Sequence, residues 1–346
     1  MPETIIHSLL PKIKKYIECS KNIQVPGWLP GAQFRVETLA QGEYHLNYLV
    51  QQDDLKWVLR ISTGSQYGLS KQAQIAYEFQ TLLFLEPLGI APIPYFMDNS
   101  LSELPFGILG MQYLTGESLN YKTDLASAAR VFSDYHQFQT DSKPDFLMPE
   151  VKPLSLAYER SLEKLQNYFH SSQANPKLVS YLKEVLDWAE QARSQEIYFL
   201  QDPWHTLINT EVNNSNWIIN RNVGSIHLVD WEKPLWGDPS RDLSHFLVPT
   251  TTLWKANYKI TEEERNQFIA IFKSDIKVPH LRDTIEEKIR LHDPFNCLRA
   301  IAWCAKAQIE YKQGKKLIKN QDTLKTISRY LEIDFVRSLF DPLLEK

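Results

Sequence analysis

The chain contains 346 residues, of which 43% are apolar and 12% aromatic, and it carries a formal net charge of −4. This composition is typical of a folded globular protein and excludes an intrinsically disordered chain. Basic residues are scattered rather than clustered, so the charge pattern gives no support for a nucleic-acid or membrane partner. A chain of this length is long for a single compact core, which favours two lobes.

The cysteines and the apolar segments indicate the compartment. Cys19, Cys297 and Cys304 show no metal-binding spacing. An odd number of cysteines without a signal sequence fits a reducing environment. No segment approaches the roughly 20 consecutive apolar residues that a membrane-spanning helix needs. The sequence therefore predicts a soluble, cytoplasmic protein.

The first third of the chain has the pattern of a sheet with two helices. Alternating apolar and polar residues predict strands at 33–40, 44–51, 56–62, 94–98 and 107–113. Helical periodicity predicts helices at 3–20 and 71–88. The turn at 52–54 joins two of these strands as a hairpin, which makes the first strands antiparallel.

Beyond Gly116 the pattern becomes mainly helical. The predicted helices are 124–138, 154–169, 176–195, 262–272, 281–289, 294–313 and 322–339. Two short apolar strands, 217–219 and 226–229, interrupt this series and form a second predicted hairpin.

Polar side chains with metal-binding chemistry border the second hairpin. Glu211 and Asn216 precede its first strand, and Asp230 directly follows its second strand. The hairpin is therefore expected to bring these side chains to one rim. Carboxylate and amide oxygens hold Mg²⁺ while leaving positions for water and phosphate oxygens. The carboxylate of Glu211, five residues before the amide of Asn216, can accept the proton of an attacking hydroxyl. This spacing suits metal-assisted phosphoryl transfer.

The same segment resembles the catalytic hairpin of the aminoglycoside phosphotransferase and choline kinase family, which has the protein-kinase-like fold. That family reads His-Gly-Asp, four residues, Asn, a strand, Ile-Asp-Trp/Phe-Glu, and then Gly-Asp-Pro-x-x-Asp-Leu. The chain has Asn209-Thr210-Glu211, then Asn216, then Val229-Asp230-Trp231-Glu232. It continues with GDPSRDL at 237–243, which matches the family pattern fully.

The resemblance implies an α+β, two-lobed protein-kinase-like fold. An antiparallel-sheet N-lobe, residues 1–113, would bind the nucleotide. A mainly helical C-lobe, residues 114–346, would carry the catalytic hairpin and the acceptor site. The implied function is phosphate transfer from ATP (or GTP), with Mg²⁺, to a hydroxyl of a small molecule.

The resemblance also implies roles for the acidic residues and the amide. Glu211 would orient or deprotonate the acceptor hydroxyl, and Asn216 and Asp230 would hold Mg²⁺ against the β and γ phosphates. Asp242 would brace the catalytic loop through hydrogen bonds to its backbone. Independently of the resemblance, Asp238 is expected to cap the helix that starts at Pro239, because aspartate before proline is a common helix entry.

On the nucleotide side, the family uses a strand-turn-strand with one glycine to cover the phosphates, and Gly42 lies in such a turn. Arg60, in an apolar strand, would take the place of the phosphate-binding lysine of protein kinases, with Glu78 as its partner. Met111 and Tyr113 would line the adenine pocket. A plain turn, a surface ion pair and ordinary core residues are the alternative interpretations of these positions.

The triplet Asn209-Thr210-Glu211 departs from the family pattern. Glutamate keeps the charge of aspartate but displaces the carboxylate by roughly an ångström, which can reduce the rate about 100-fold unless the loop compensates. The chain is therefore either a working kinase with a retuned loop or a non-catalytic, nucleotide-binding pseudokinase or scaffold protein on the same fold.

The acceptor is expected to bind near aromatic and acidic residues of the C-lobe. The candidates are Trp204, Trp231, Glu232, Trp236 and Tyr158. Aromatic rings beside carboxylates suit an amine or quaternary ammonium through cation–π contact. A sugar or another small alcohol is the alternative.

Overall fold

The computed structural model describes residues 5–42, 44–138, 141–313 and 321–345. The chain divides into two compact units. The first, here called the sheet unit, comprises Met1–Ser118, Pro144–Leu147 and Asn216–Pro234. The second, here called the helical unit, comprises Leu119–Lys143, Met148–Ser215 and Leu235–Lys346. None of the helices in the described ranges has the length and apolarity to cross a membrane.

The secondary structure follows the predicted order. The strands are β1 Arg35–Gln41, β2 His45–Gln52, β3 Leu55–Ser62, β4 Pro94–Asp98, β5 Gly107–Gln112, β6 Thr206–Ile208, β7 Trp217–Asn220, β8 Ser225–Leu228 and β9 Leu235–Gly237. The α-helices are α1 Ile5–Ser8, α2 Leu10–Cys19, α3 Lys71–Leu85, α4 Tyr121–His136, α5 Pro153–Phe169, α6 Pro176–Ala192, α7 Ile197–Gln201, α8 Ser240–Leu247, α9 Pro249–Thr252, α10 Glu262–Asp275, α11 Pro279–Lys312, α12 Gln321–Tyr330 and α13 Ile333–Leu344.

The sheet unit is built on a five-stranded antiparallel sheet in the order β1-β2-β3-β5-β4. Its middle strand, β3, is buried at every position from Trp57 to Ser62. Trp57 packs edge-to-face against Phe96 of β4, with 5.7 Å between ring centroids. From α2, Ile13, Tyr16 and Ile17 join the same core at the spacing that places side chains on one helix face. The predicted α+β architecture is confirmed.

The core of the helical unit is centred on α5 and α11. Apolar residues three and four positions apart give α11 a buried face that includes Leu298, Ile301, Ala302 and Ala305. This face and the buried Leu165 of α5 belong to one continuous apolar cluster. The cluster therefore joins α5 and α11 in one core.

The hairpin of β7 and β8 packs within the sheet unit, which differs from the predicted assignment of this hairpin to residues 114–346. The reason is backbone hydrogen bonding. Glu117 and Ile219 exchange two hydrogen bonds of 2.9 and 2.8 Å, and Leu228 donates to the carbonyl of Ile90 at 2.8 Å. Gly116 permits this approach, because a Cβ there would lie 2.5 Å from the Ile219 oxygen.

Two predicted helix boundaries are wrong in the C-terminal part of the chain. Helices were expected at 281–289 and 294–313, but α11 continues through Pro294 as one helix of 34 residues. Proline removes one backbone donor and usually breaks a helix. Here Ile289 and Phe295, on either side of the proline, are both buried, so packing overrides the local preference.

The reverse error occurs at 322–339, where one helix was expected. The described chain forms α12 and α13 instead, and Glu332 between them has an extended backbone with ψ of 130°. The short elements β6, β9, α7 and α9 were also missed. Each has five residues or fewer, which is too short to show a periodic pattern.

Candidate active site

Arg60 is a permanently charged side chain buried inside the sheet unit, with 6% of its surface exposed. Its Nε lies 2.9 Å from Glu78 Oε1, a terminal nitrogen donates to Asn47 Oδ1 at 3.3 Å, and the other terminal nitrogen contacts Asp230 Oδ1. Burial by itself lowers the pKa of Arg60, but the carboxylates of Glu78 and Asp230 more than offset it and raise the pKa. The ion pair predicted between Arg60 and Glu78 is present.

One face of α3 fixes the segment that follows β8. Gln74, Tyr77 and Glu78 are spaced three and four residues apart, so they project from the same side of the helix. Gln74 donates to the carbonyl of Glu232 at 2.6 Å, and the Tyr77 hydroxyl donates to the carbonyl of Pro234 at 2.6 Å. The helix that supplies the partner of Arg60 therefore also anchors the chain beyond Asp230.

Asp230 and Asn216 lie at the same end of the β7–β8 hairpin. The carbonyl of Asn216 accepts a hydrogen bond from the Val229 N–H at 2.8 Å, immediately before Asp230. Asp230 has a φ of 63°, in the left-handed region that aspartate tolerates better than most residues. The backbone thus bends directly after β8, and the carboxylate of Asp230 contacts Arg60.

Glu232 forms a second ionic contact with His45 of β2. The Nδ1 of His45 lies 2.5 Å from Glu232 Oε2, and its Nε2 lies 3.6 Å from Glu78 Oε2. Burial raises the pKa of Glu232, but the hydrogen bond from His45 and the charges of His45 and Arg60 outweigh it and hold the pKa at about 2. Glu232 is therefore ionised at neutral pH.

In the helical unit, Asp242 braces the loop that contains Glu211. Its fully buried carboxylate accepts hydrogen bonds from the N–H groups of Asn209 and Thr210, at 2.6 and 2.8 Å, and from the Tyr135 hydroxyl at 2.8 Å. Burial raises the pKa of Asp242, but the neighbouring His136 and the two amides outweigh it and lower the pKa. The hydrogen bonding predicted for Asp242 is confirmed.

Thr210 has an unusual backbone conformation. Its φ is 74°, although a β-branched residue is strongly disfavoured in the left-handed region. Asn209 supports the bend, because its side-chain oxygen accepts the N–H of Glu211 at 2.9 Å. Glu211 itself is half-buried. A glycine at position 210, as in the family pattern, would adopt this conformation without strain.

Asp238 lies at the start of α8, which begins at Ser240, one residue later than predicted. Its carboxylate accepts the N–H of Ser240 at 3.0 Å and the Ser240 hydroxyl at 2.6 Å. Lys288 of α11 lies 3.2 Å from the other carboxylate oxygen. Asp238 therefore satisfies an otherwise unpaired helix amide and ties α8 to α11.

The other three residues predicted for the nucleotide side are the turn glycine and two residues at the end of β5. Gly42 lies in the turn between β1 and β2, but its N–H donates to the His45 carbonyl at 2.9 Å and closes the turn. Met111 lies in β5 and Tyr113 follows this strand directly; both are half-buried.

The tryptophans predicted for the acceptor are core residues. Trp231 is fully buried and donates to the Leu228 carbonyl at 2.8 Å, and Trp204 donates to the His136 carbonyl at 3.2 Å. Trp236 lies in β9 and is also buried. Their rings are enclosed by protein atoms, so their primary role is packing.

Sequence reasoning missed His45 and Asn47. Both face the Arg60 network from β2, and Asn47 is the cross-strand neighbour of Arg60. The signal was available, because two polar side chains two residues apart in an apolar strand share one face of the sheet.

A sequence model of the phosphotransferase enzyme family matches residues 35–276. The chain belongs to this family. The family predicted from the 209–243 segment is thereby confirmed. No curated protein matches the chain in sequence.

Solved structures show that the fold of this chain is kinase-like. An ethanolamine kinase from Plasmodium vivax superposes with a TM-score of 0.61 and 12% identity, over 98% of this chain and 97% of that one. A choline kinase from Streptococcus pneumoniae superposes with a TM-score of 0.57 and 16% identity, over 88% of this chain and 93% of that one. A spectinomycin phosphotransferase in complex with ADP and spectinomycin superposes with a TM-score of 0.56 and 14% identity, over 90% of this chain and 93% of that one.

The strain at Thr210 can be measured by comparing two substitutions. Thr210→Ala and Thr210→Gly both remove the side chain, but only glycine removes the cost of the positive φ. We expect the glycine variant to have a free energy of unfolding about 1 kcal/mol greater than that of the alanine variant. Urea denaturation measures the difference. Equal stability, or a more stable alanine variant, would show that this backbone is unstrained.

The bracing by Asp242 gives a pH-dependent prediction. Asp242→Asn should lower the free energy of unfolding by about 2–4 kcal/mol at pH 7, because an amide cannot accept from three donors equally well. The pKa of Asp242 is lowered in the folded state. Its contribution is therefore present above its unfolded pKa of about 3.9 and is lost as the pH falls through the folded value. The difference between wild type and variant should narrow below about pH 4; a constant difference in urea titrations would contradict this.

Proposed function

We propose that this protein transfers the γ-phosphate of ATP or GTP to a hydroxyl group of a small molecule, in a reaction that requires Mg²⁺. The observation that carries the proposal is the buried network in which Arg60 contacts both Glu78 and Asp230. In kinases, a basic residue of the third strand pairs with a helix carboxylate while an aspartate faces the metal-bound phosphates. The same three residue types meet in the sheet unit.

Arg60 has the chemistry of a phosphate ligand. A guanidinium presents several N–H donors in a fixed plane, which matches the oxygens of a phosphate. Glu78 and Asn47 hold it from two sides, so little side-chain entropy is lost when phosphate binds. Because the pKa of Arg60 is raised, the positive charge is present at every physiological pH.

The donor set at the end of the hairpin fits Mg²⁺. Asn216 offers an amide oxygen and Asp230 a carboxylate, which are the hard ligands that Mg²⁺ prefers. The carboxylate of Asp230 also contacts the guanidinium of Arg60, so a metal ion held there would lie beside the residue proposed to bind the phosphate. When bound, Mg²⁺ would neutralise the phosphate oxygens. Asn216 and Asp230 are the residues that would hold it.

Glu211 is the proposed proton acceptor for the attacking hydroxyl. Its backbone is held by the Asn209 side chain, and the preceding two amides are fixed by Asp242. A rigid loop is what a general base requires, because small displacements of the carboxylate reduce the rate steeply. The longer glutamate side chain on this fixed loop is the feature by which the protein would differ from relatives with aspartate.

The names of similar structures guide the choice of acceptors. They include choline, ethanolamine and aminopropanol kinases and a spectinomycin phosphotransferase. All four named substrates carry an amine or ammonium group together with a hydroxyl. Amine-bearing alcohols are therefore the first class to test, followed by sugars.

A second candidate function is nucleotide binding without turnover. The triplet Asn209-Thr210-Glu211 favours this possibility, because its residues differ from histidine-glycine-aspartate and place a β-branched side chain at a positive φ that glycine would adopt without strain. A pseudokinase or scaffold protein would keep the Arg60 network and lose the proton acceptor.

The two functions are separated by Glu211→Gln, which keeps the shape of the side chain and removes its basicity. We expect kcat for the best acceptor to fall by about 100-fold or more, because general-base catalysis contributes roughly that factor. Nucleotide affinity, measured by calorimetry, should change little. Glu184→Gln, at an exposed position of α6, is the control and should retain full activity. Equal turnover by wild type and Glu211→Gln would exclude Glu211 as the base.

The metal assignment is tested by thermal unfolding of Asp230→Asn with ATP, with and without Mg²⁺. Asparagine tolerates the positive φ of Asp230, so the backbone should be retained. In the wild type, nucleotide at 100 times its Kd should stabilise the fold by about 2.7 kcal/mol. Asp230→Asn should lose the part of this stabilisation that depends on Mg²⁺. The control variant Asp54→Asn, at an exposed position, should keep it. An unchanged shift would remove Asp230 from the site.

A further inference from the structure

A second set of potential metal ligands lies in the sheet unit. His45, Asp230 and Glu232 each present one ligand atom, and these three atoms lie within 4.8 Å of one another. His45 comes from the start of β2, and the two carboxylates come from the segment after β8. Among the described residues, this is the group of histidine and acidic side chains with the spacing of a metal site.

The imidazole of His45 is the distinctive member of the set. The residue is 3% exposed, and its Nε2 is buried with no hydrogen-bond partner in the described part of the chain. Its Nδ1 contacts Glu232. A buried ring nitrogen without a hydrogen bond costs about 1–3 kcal/mol, and the 3.6 Å between Nε2 and Glu78 Oε2 is too long for one, so the nitrogen is available to a ligand. A metal ion would use the lone pair of the neutral ring.

The side chains around the imidazole supply oxygen ligands for a divalent cation. The carboxylates of Asp230 and Glu232 lie beside the imidazole together with the guanidinium of Arg60, and burial raises the pKa of the third carboxyl group, Glu78. Arg60 would keep Glu78 as its partner if Asp230 turned to a metal ion, so no buried charge would be left unpaired.

We propose that His45, Asp230 and Glu232 bind a first-row transition-metal ion, with Mn²⁺ as the simplest case, more tightly than Mg²⁺. Imidazole nitrogen suits transition metals, whereas Mg²⁺ prefers oxygen ligands and dehydrates reluctantly. The inference rests on the proposed function for the role of Asp230, and it names the class of metal ion that this site would select. His45 is the residue that sets the preference.

The test is the binding of Mn²⁺ to the 346-residue chain without nucleotide, monitored by electron paramagnetic resonance, with Mg²⁺ as competitor. In the wild type, Mn²⁺ should bind at least about 10-fold more tightly than Mg²⁺. His45→Ala should weaken Mn²⁺ binding by about 10- to 100-fold and Mg²⁺ binding far less. His45→Asn should reduce the preference for Mn²⁺ over Mg²⁺, because an amide oxygen replaces the imidazole nitrogen as ligand. His227→Ala, on β8 of the same unit, controls for non-specific binding by histidine.

The outcome is independent of turnover. Equal Mn²⁺ affinities in the wild type, His45→Ala and His45→Asn, all folded by circular dichroism, would overturn the inference. The proposed phosphotransferase function would still stand if Mg²⁺·ATP raised the unfolding midpoint and Glu211→Gln abolished activity. Conversely, Mn²⁺ binding that depends on His45, with no phosphate transfer to any acceptor, would support the metal site and contradict the function.

Discussion

The sheet unit is organised around one buried positive charge. A guanidinium at 6% exposure is stable only if it is paired and hydrogen-bonded, because the desolvation cost of an isolated ion is several kcal/mol. Arg60 obtains Glu78 from α3, Asn47 from β2 and Asp230 from the end of β8. These requirements fix the helix face, the strand register and the bend after β8 at once, so the site and the fold depend on the same contacts.

The helical unit contains a buried negative charge, the carboxylate of Asp242. Among the described residues, backbone amides, a tyrosine hydroxyl and a nearby imidazole rather than a guanidinium stabilise the carboxylate of Asp242. Because the partners are amides of the 209–211 loop, the cost of burying Asp242 is offset only when that loop has its observed shape. The hydrogen bond from the Thr210 amide to Asp242 also holds Thr210 at a φ that its side chain disfavours.

The sequence predicted the features that rest on local patterns. β4 has the predicted ends, and the pairing of Arg60 with Glu78 was implied by the family resemblance, which short local motifs carry. The features that escaped prediction depend on contacts distant in sequence. α11 passes through Pro294 because both flanks are buried, and the β7–β8 hairpin joins the sheet unit through Glu117 and Ile90. No window of sequence contains these neighbours.

His45 occupies two networks at the same time. Its carbonyl accepts the N–H of Gly42 and closes the turn between β1 and β2, while its ring contacts Glu232. A shift of the His45 backbone would therefore move both the hydrogen bond that closes the turn and the ring that contacts Glu232. If a phosphate group opens the turn and a cation holds the ring, their binding free energies are coupled. Thermodynamic reciprocity then requires each ligand to change the affinity of the other by the same factor, whichever binds first.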